Sequence, residues 1–503
     1  MTVISKTYFA LIPKFERQLK IDALMLKKHQ KESSPKEILN VMIVGYDGVS
    51  RHHFLRAMNK TYSFLMNDLQ SFDFTMHTQV GENTFPNFLS LLSGKSKDEV
   101  SEWWSRSEFS DAFDLIWRDY KRAGYQTLYT EDWPAIGGFH HAKLGFLFPP
   151  TTYYSHPINL AIDADHDMHL TGRDCLGSKP ELFFHMDYIK RFFDTFPDWP
   201  KFAMTFLTRM THDTLNDLKK VDDHTYNIYN TLFKEGYLNR TVLISFSDHG
   251  QRWGPIRPTF NGMIESRTPY TILTFPKWFL EKYPDVVRNL KTNTARLTTH
   301  YDTHATLQEL LYFKAKGHAP LKTGHRISLF QVIPKNRTCN DSHIPPEFCV
   351  CGQDSVEILD VKCYLSLLLT THVMKAINSK LDKYLCMSLT LDKIIQVALI
   401  QIGPKTLNKD FNDRALFKIR LQTKPGLAIY EATVYTKGNL PGLPANATEA
   451  NLTPLQVEVG DSIDRLNLYR GQADCVNDAR VKLFCYCKDV FERESQKATK
   501  SRK

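Results

Sequence analysis

At 503 residues the chain is longer than one hydrophobic core usually supports, so two domains are expected. Its 42% hydrophobic and 24% charged content is that of a globular protein and excludes a disordered or fibrous chain. The net charge of +9 is small for this length and lies in no long basic run, so no nucleic-acid partner is expected.

Residues 1–38 are basic and polar and read as an arm or irregular helix. The α/β pattern then begins. Asn40–Tyr46 is an apolar run suited to a strand buried on both faces, and it ends on Asp47. His52–Gln70 has helical spacing and Phe72–Gln79 is a candidate strand. The loop Gly81-Glu82-Asn83-Thr84-Phe85-Pro86-Asn87 opens an apolar helix running to Gly94. Thr84 stands at its entrance, with a proline in the first turn. By itself Thr84 reads as an N-cap.

Asp111–Ala123 is expected to be a helix and Tyr125–Thr130 a strand. The loop Gly137-Gly138-Phe139-His140-His141 that follows either lines a pocket or is simply solvated. Pro180–Thr195 reads as a helix, Lys201–Leu207 as a buried strand and Asp222–Glu235 as another helix. Thr211-His212-Asp213 falls just past a strand end. Thr241–Ile244 is a third buried strand, leading to Ser247-Asp248-His249-Gly250. Open α/β sheets place ligands at such carboxyl ends, and a carboxylate beside an imidazole suits zinc, manganese or magnesium. Gly250 is read as the residue that lets the chain turn away. Pro269–Phe275 is a further strand and Thr303–Tyr312 a closing helix. Strands alternating with helices predict a mostly parallel sheet covered on both faces.

The order Asp47, Thr84, Asp248-His249 resembles the alkaline phosphatase superfamily, which holds nucleotide pyrophosphatases, sulfatases and phosphoethanolamine transferases. The runs Gly45–Arg51, Gly81–Asn87, Ser247–Arg257 and Asp302–Leu307 are similar to a sulfatase-like domain-of-unknown-function family of animal secreted and membrane-anchored proteins. The resemblance implies an alkaline-phosphatase-like three-layer α/β/α sandwich over 39–330. It also implies that Asp47, Thr84, Asp248 and His249 hold a divalent metal, zinc or manganese foremost, with Thr84 as nucleophile. A second ion is an even alternative. His212, Asp213 and His304 would hold it, or would instead bind substrate, and His304 is preferred to His300 because it sits in the matching motif. Sulfatases use Cys-x-Pro-x-Arg, whereas this chain has Thr84-Phe85-Pro86-Asn87-Phe88. Formylglycine chemistry is therefore not expected. Hydrolysis of a phosphoryl ester, or transfer of a phospho-alcohol such as phosphoethanolamine, is. The substrate would be a phosphorylated small molecule, lipid or glycan. The alternative is a non-catalytic secreted binding protein on the same scaffold.

Beyond 330 the pattern changes to a helix at Leu367–Leu385 followed by strands at Lys393–Ile402, Ala415–Gln422 and Ala428–Tyr435. Eight of the nine cysteines lie here, all but Cys175, which predicts a disulfide-rich α+β domain over 331–503. Cys349-Val350-Cys351 and Cys485-Tyr486-Cys487 have tighter spacing than structural zinc sites use. Six N-x-[ST] sequons, at Asn59, Asn239, Asn336, Asn340, Asn446 and Asn451, agree with an extracellular or secretory-lumen location. No signal peptide is visible in Met1–Lys36 and no stretch is long enough to span a membrane, so a truncated start is expected. The third alternative, an intracellular metal-binding interaction protein, requires the missing signal sequence to be real; free cysteines after 330 would support it and disulfides would exclude it.

Overall fold

The structure is a computed structural model that describes residues 6–169, 175–177, 179–314, 325–351, 353–381, 385–402, 414–437, 455–469 and 471–500. The chain divides into two units. One comprises Met1–Gln251, Ile264–Arg337 and Asp341–Ile344; the other comprises Arg252–Met263, Thr338–Asn340 and Pro345–Lys503.

Seven strands form the sheet of the first unit: β1 (Asn40–Tyr46), β2 (Phe72–Asp73), β3 (Gln126–Glu131), β4 (Tyr153–Tyr154), β5 (Lys201–Leu207), β6 (Thr241–Phe246) and β7 (Thr271–Thr274). Their order is β2-β7-β6-β1-β5-β3-β4. Every pairing is parallel except those of β7, which runs antiparallel to both neighbours. Side chains alternate between faces along each strand. Val41, Ile43, Met204, Phe206, Val242 and Ile244 pack on one side with Phe88, Trp117 and Leu307. Met42, Val44, Tyr46, Ala203, Leu207 and Leu243 pack on the other with Ile189, Phe192 and Tyr229. Helices Thr84–Ser93, Ile116–Arg122 and His300–Leu311 thus cover one face, and Leu182–Thr195 and Asp222–Lys234 cover the other. Each large side chain fully withdrawn from water in these layers contributes about 1.5–3 kcal/mol before entropy is charged against it. The result is the expected three-layer α/β/α sandwich.

Register places the functional edge. Gly45 pairs with Phe246, Tyr46 with Leu207, and Glu131 with Phe206. Asp47, Asp132 and Ser247-Asp248 therefore leave the sheet level with one another. Several expected elements are shorter or broken. The helix expected over 52–70 is Arg51–Ala57, Asn59–Ser63 and a π-helical turn, Phe64–Asp68. The strand expected over 72–79 divides into β2 and Met76–His77, which pairs separately with Leu297–Thr298. Asp111–Ala123 is a 3-10 turn, Ser110–Ala112, followed by helix Ile116–Arg122, and the arm contains a helix, Glu16–Glu32. Among the described residues no helix is long and apolar enough to cross a membrane.

The second unit holds an antiparallel sheet of β8 (Gln353–Leu359), β9 (Thr390–Ile402), β10 (Arg414–Lys424), β11 (Ile429–Lys437) and β12 (Gln456–Arg465), paired in that order. Helix Tyr364–Ser379 lays Leu365, Leu369, Val373 and Ile377, a stripe of period four, on Leu399, Phe417, Ile419 and Val434. Disulfides join Cys339–Cys349, Cys386–Cys485 and Cys475–Cys487. Cys351 and Cys363 are thiols. The asparagines of the four sequons within the described residues, Asn59, Asn239, Asn336 and Asn340, are exposed. Asn446 and Asn451 lie outside those residues.

Candidate functional site

Asp47 follows β1 directly, and its N–H continues the ladder by donating to Leu207 O at 3.0 Å. Gly48 then takes a left-handed φ of 70°, which turns its N–H onto Asp248 Oδ1 at 3.1 Å. Val49 N–H donates to Ser247 Oγ at 2.8 Å, and Ser247 Oγ donates to His249 O at 2.9 Å. The loops after β1 and β6 are laced together by these bonds. Gly250 serves differently from the expected sharp turn. A Cβ there would sit 1.9 Å from Glu265 O, and the Gly250 N–H donates to Ser266 O at 2.9 Å. Its lack of a side chain permits close backbone approach.

The lacing brings ligand atoms of Asp47, Asp248 and His249 within 4.8 Å of one another, with each residue 3% exposed or less. His249 Nδ1 lies 2.8 Å from Gly250 O. A carbonyl only accepts, so Nδ1 carries the hydrogen, and in the neutral ring Nε2 presents a lone pair. That nitrogen is 3.2 Å from Asp248 Oδ2 and 3.8 Å from Asp47 Oδ1. Asp248 Oδ2 is buried and accepts no hydrogen bond. Two carboxylates and a lone pair converging away from water repel one another unless positive charge lies between them. Two oxygens and one imidazole nitrogen fit zinc or manganese, and three protein donors leave a coordination position open.

Thr84 is the first residue of helix Thr84–Ser93 and is half-buried. Asn83, extended before it, makes no side-chain cap. Instead Asn87 ties the loop down. Its Oδ1 accepts from Val80 N–H at 2.8 Å, and its Nδ2 donates to Gly81 O and Asn83 O at 3.0 and 2.9 Å. One turn on, the Phe88 ring lies edge-on to Phe206 at 4.5 Å and 6.3 Å from Phe246. The helix therefore stands on the carboxyl ends of β5 and β6. His212 Nδ1 is 2.8 Å from Asp213 Oδ1, and His212 O accepts from Gln251 Nε2 at 3.2 Å. His304 is buried one turn into its helix and donates from Nδ1 to Leu91 O at 3.0 Å. Among the described residues the ligand cluster comprises Asp47, Asp248 and His249 without these three. His300, set aside on sequence, bonds the cluster directly: its Nε2 donates to Asp248 O at 2.8 Å.

A lysine that sequence reasoning did not single out lies beside the helix entrance. Lys143 Nζ is 4.6 Å from the centroid of Phe85, the neighbour of Thr84, and donates to His141 O at 2.6 Å. Burial and then the nearby Arg106 push Lys143 down to about 7, against the pull of Glu131. Burial, then Lys143, His212 and Arg106, push His141 down to about 4. Glu131 itself is raised to about 7 by burial. Arg106 thus lies close to Lys143, and Lys143, His212 and Arg106 lie close to His141. His141 closes the glycine-histidine run, which on sequence reads equally as a solvated loop, and Lys143 follows two residues later.

The family described as "Protein of unknown function (DUF229)" matches residues 6–395 of the chain. The chain belongs to DUF229. No curated protein matches this DUF229 chain. Solved structures similar to it include a phosphonate monoester hydrolase from Silicibacter pomeroyi, at 13% identity and TM-score 0.42, covering 76% of this chain and 88% of that one. Another is the lipoteichoic acid synthase LtaP from Listeria monocytogenes, at 12% identity and TM-score 0.39, covering 61% and 80%. A third is a protein in the alkaline phosphatase superfamily from Vibrio parahaemolyticus, at 12% identity and TM-score 0.37, covering 98% of each chain.

Proposed function

We propose that the protein is a metal-dependent phosphoryl-ester hydrolase or phospho-alcohol transferase with Thr84 as its nucleophile. The observation that carries this reading is the convergence of ligand atoms of Asp47, Asp248 and His249 in one buried cluster. A divalent ion held there by Asp47, Asp248, His249 and Thr84 supplies positive charge that acidifies a hydroxyl and offsets charge on a phosphoryl group.

The chain's own residues do the rest. Helix Thr84–Ser93 offers its first N–H groups and the positive end of its dipole to phosphoryl oxygens. Lys143 and Arg106 hold the substrate's remaining negative charge, and His141 offers it a neutral hydrogen-bond donor. The Thr84 hydroxyl gives its proton to solvent, its Oγ bonds to phosphorus as the bond to the leaving alcohol breaks, and His212 in its protonated form protonates that alcohol and recovers its proton from solvent. Water or an acceptor alcohol then releases the phosphoryl group from Thr84. The substrate class is a phosphorylated small molecule, lipid or glycan. An extracellular or secretory-lumen setting is supported by three disulfides and four exposed sequon asparagines.

The test is turnover of nitrophenyl phosphate, a nitrophenyl phosphodiester and nitrophenyl sulfate by metal-stripped protein given zinc, manganese or magnesium. Metal-dependent release from a phosphate ester, lost in Thr84→Ala, is the expected result. Release that survives Thr84→Ala removes Thr84 as nucleophile. Failure on every ester, with metal bound, leaves a transferase of strict specificity or a binding protein, which transfer of phosphate to Thr84 from lipid extracts separates.

A further inference from the structure

Behind the cluster, three buried side chains form one hydrogen-bonded line. Thr298 Oγ1 lies 3.0 Å from His77 Nδ1, His77 Nε2 lies 3.3 Å from His300 Nδ1, and His300 Nε2 lies 2.8 Å from Asp248 O. Thr298, His77 and His300 are 1% exposed or less. Hydrogen-bond capacity fixes every proton in the line. Asp248 O only accepts, so His300 Nε2 carries the hydrogen and its Nδ1 accepts. His77 must then donate from Nε2 and accept at Nδ1 from the Thr298 hydroxyl. Burial first of all keeps both rings neutral, with His300 lowered to about 4.

The line ends on a sensitive atom. Asp248 O belongs to the peptide joining Asp248 to His249, so anchoring it fixes the angle between the two side chains of the cluster. His300 is itself anchored. It opens helix His300–Leu311 behind a capping box of Thr299 and Asp302, and Arg337 grips Asp302 at 2.7 and 3.0 Å.

We propose that His300, oriented by His77 and Thr298, is a positioning residue that sets the Asp248-His249 peptide for metal binding. This rests on the metal reading above. It acts through backbone, unlike the usual arrangement in which a ligating side chain is itself bonded from behind.

The test measures zinc affinity of the full chain by competition with a chromophoric chelator, together with the visible spectrum of the cobalt form. His300→Leu is expected to weaken zinc binding about ten- to a hundredfold and to shift the cobalt bands. His300→Gln, which keeps an N–H donor, is expected to recover most of both. Unchanged affinity and spectrum in His300→Leu overturn the proposal. Wild-type protein that binds neither zinc nor manganese overturns the metal reading and this proposal with it. Should His300→Leu fail to fold, His77→Phe reads the same line at one remove, with a smaller loss expected and none overturning it. Nitrogen-15 shifts of labelled histidines in the unsubstituted protein check the tautomers; a hydrogen on Nδ1 of His300 overturns the assignment.

Discussion

The acidic cluster and the basic group beside Thr84 are assembled in opposite ways. Asp47, Asp248 and His249 leave the ends of two paired strands, are laced by backbone and Ser247 bonds, and are almost wholly buried. His141 and Lys143 hang on a loop after β3. One cluster gathers carboxylates and the other gathers cationic side chains, with Glu131 nearby. Strand ends fix donors to within the tolerance an ion demands, while a loop leaves room for substrates that differ in shape. A metal in the first and a phosphoryl group across both would relieve each imbalance.

The comparison breaks most completely at Asp248. Asp248→Asn removes the charge and the buried oxygen, and turnover should fall about a thousandfold or more together with zinc binding. Kinetics and chelator competition on the same sample check both. Thr84→Ala separates chemistry from metal: turnover should again fall about a thousandfold, with zinc affinity held within about tenfold because a neutral hydroxyl is a weak ligand.

Lys143→Met tests the basic side. KM for the phosphate ester should rise about tenfold to a hundredfold, as expected for losing a charge-assisted contact. Inhibition by inorganic sulfate, which does not titrate here, should weaken in the parent protein as pH rises through about 7 and stay flat in the variant. Stability carries the opposite sign. The unfolded chain keeps the Lys143 proton up to 10.5 while the folded chain sheds it near 7, so stability should rise with pH between those values. Urea unfolding at pH 7, 8 and 9 should show that slope shrinking in Lys143→Met. The smallest effect is Glu131→Gln. Glu131 raises the Lys143 pKa, so its removal should move the sulfate midpoint down by about half a pH unit or less.

The buried parallel strands were legible because both faces demand apolar residues, and Asn40–Tyr46 and Lys201–Leu207 appear as read. Of the strands missed, the two long ones, Gln353–Leu359 and Gln456–Arg465, are the outer edges of the second sheet. Edge strands carry charges such as Glu357, Glu458 and Asp464 that discourage pairing with other chains, and those same charges disguise them. Of the candidate site, Asp47, Asp248 and His249 were visible as residues at strand ends. His300 was hidden by a boundary. Reading the closing helix from Thr303 left His300 in a loop, whereas the Thr299–Asp302 capping box starts the helix at His300 and turns it onto Asp248. Lys143 carried no local signal, since its role comes from Phe85 and Arg106 far along the chain.

The pairing of β1 with β6 joins Gly48 to Asp248 across 200 residues. During synthesis Asp47 therefore waits through about three-fifths of the first unit before its partners emerge, and no earlier fragment contains all three residues of the cluster. Closure of so distant a contact comes late in folding, because its loop entropy must be offset by other contacts first. Ion capture would then act as a latch on the finished sheet, stabilising the folded chain in proportion to the logarithm of free metal and leaving incomplete chains open to degradation.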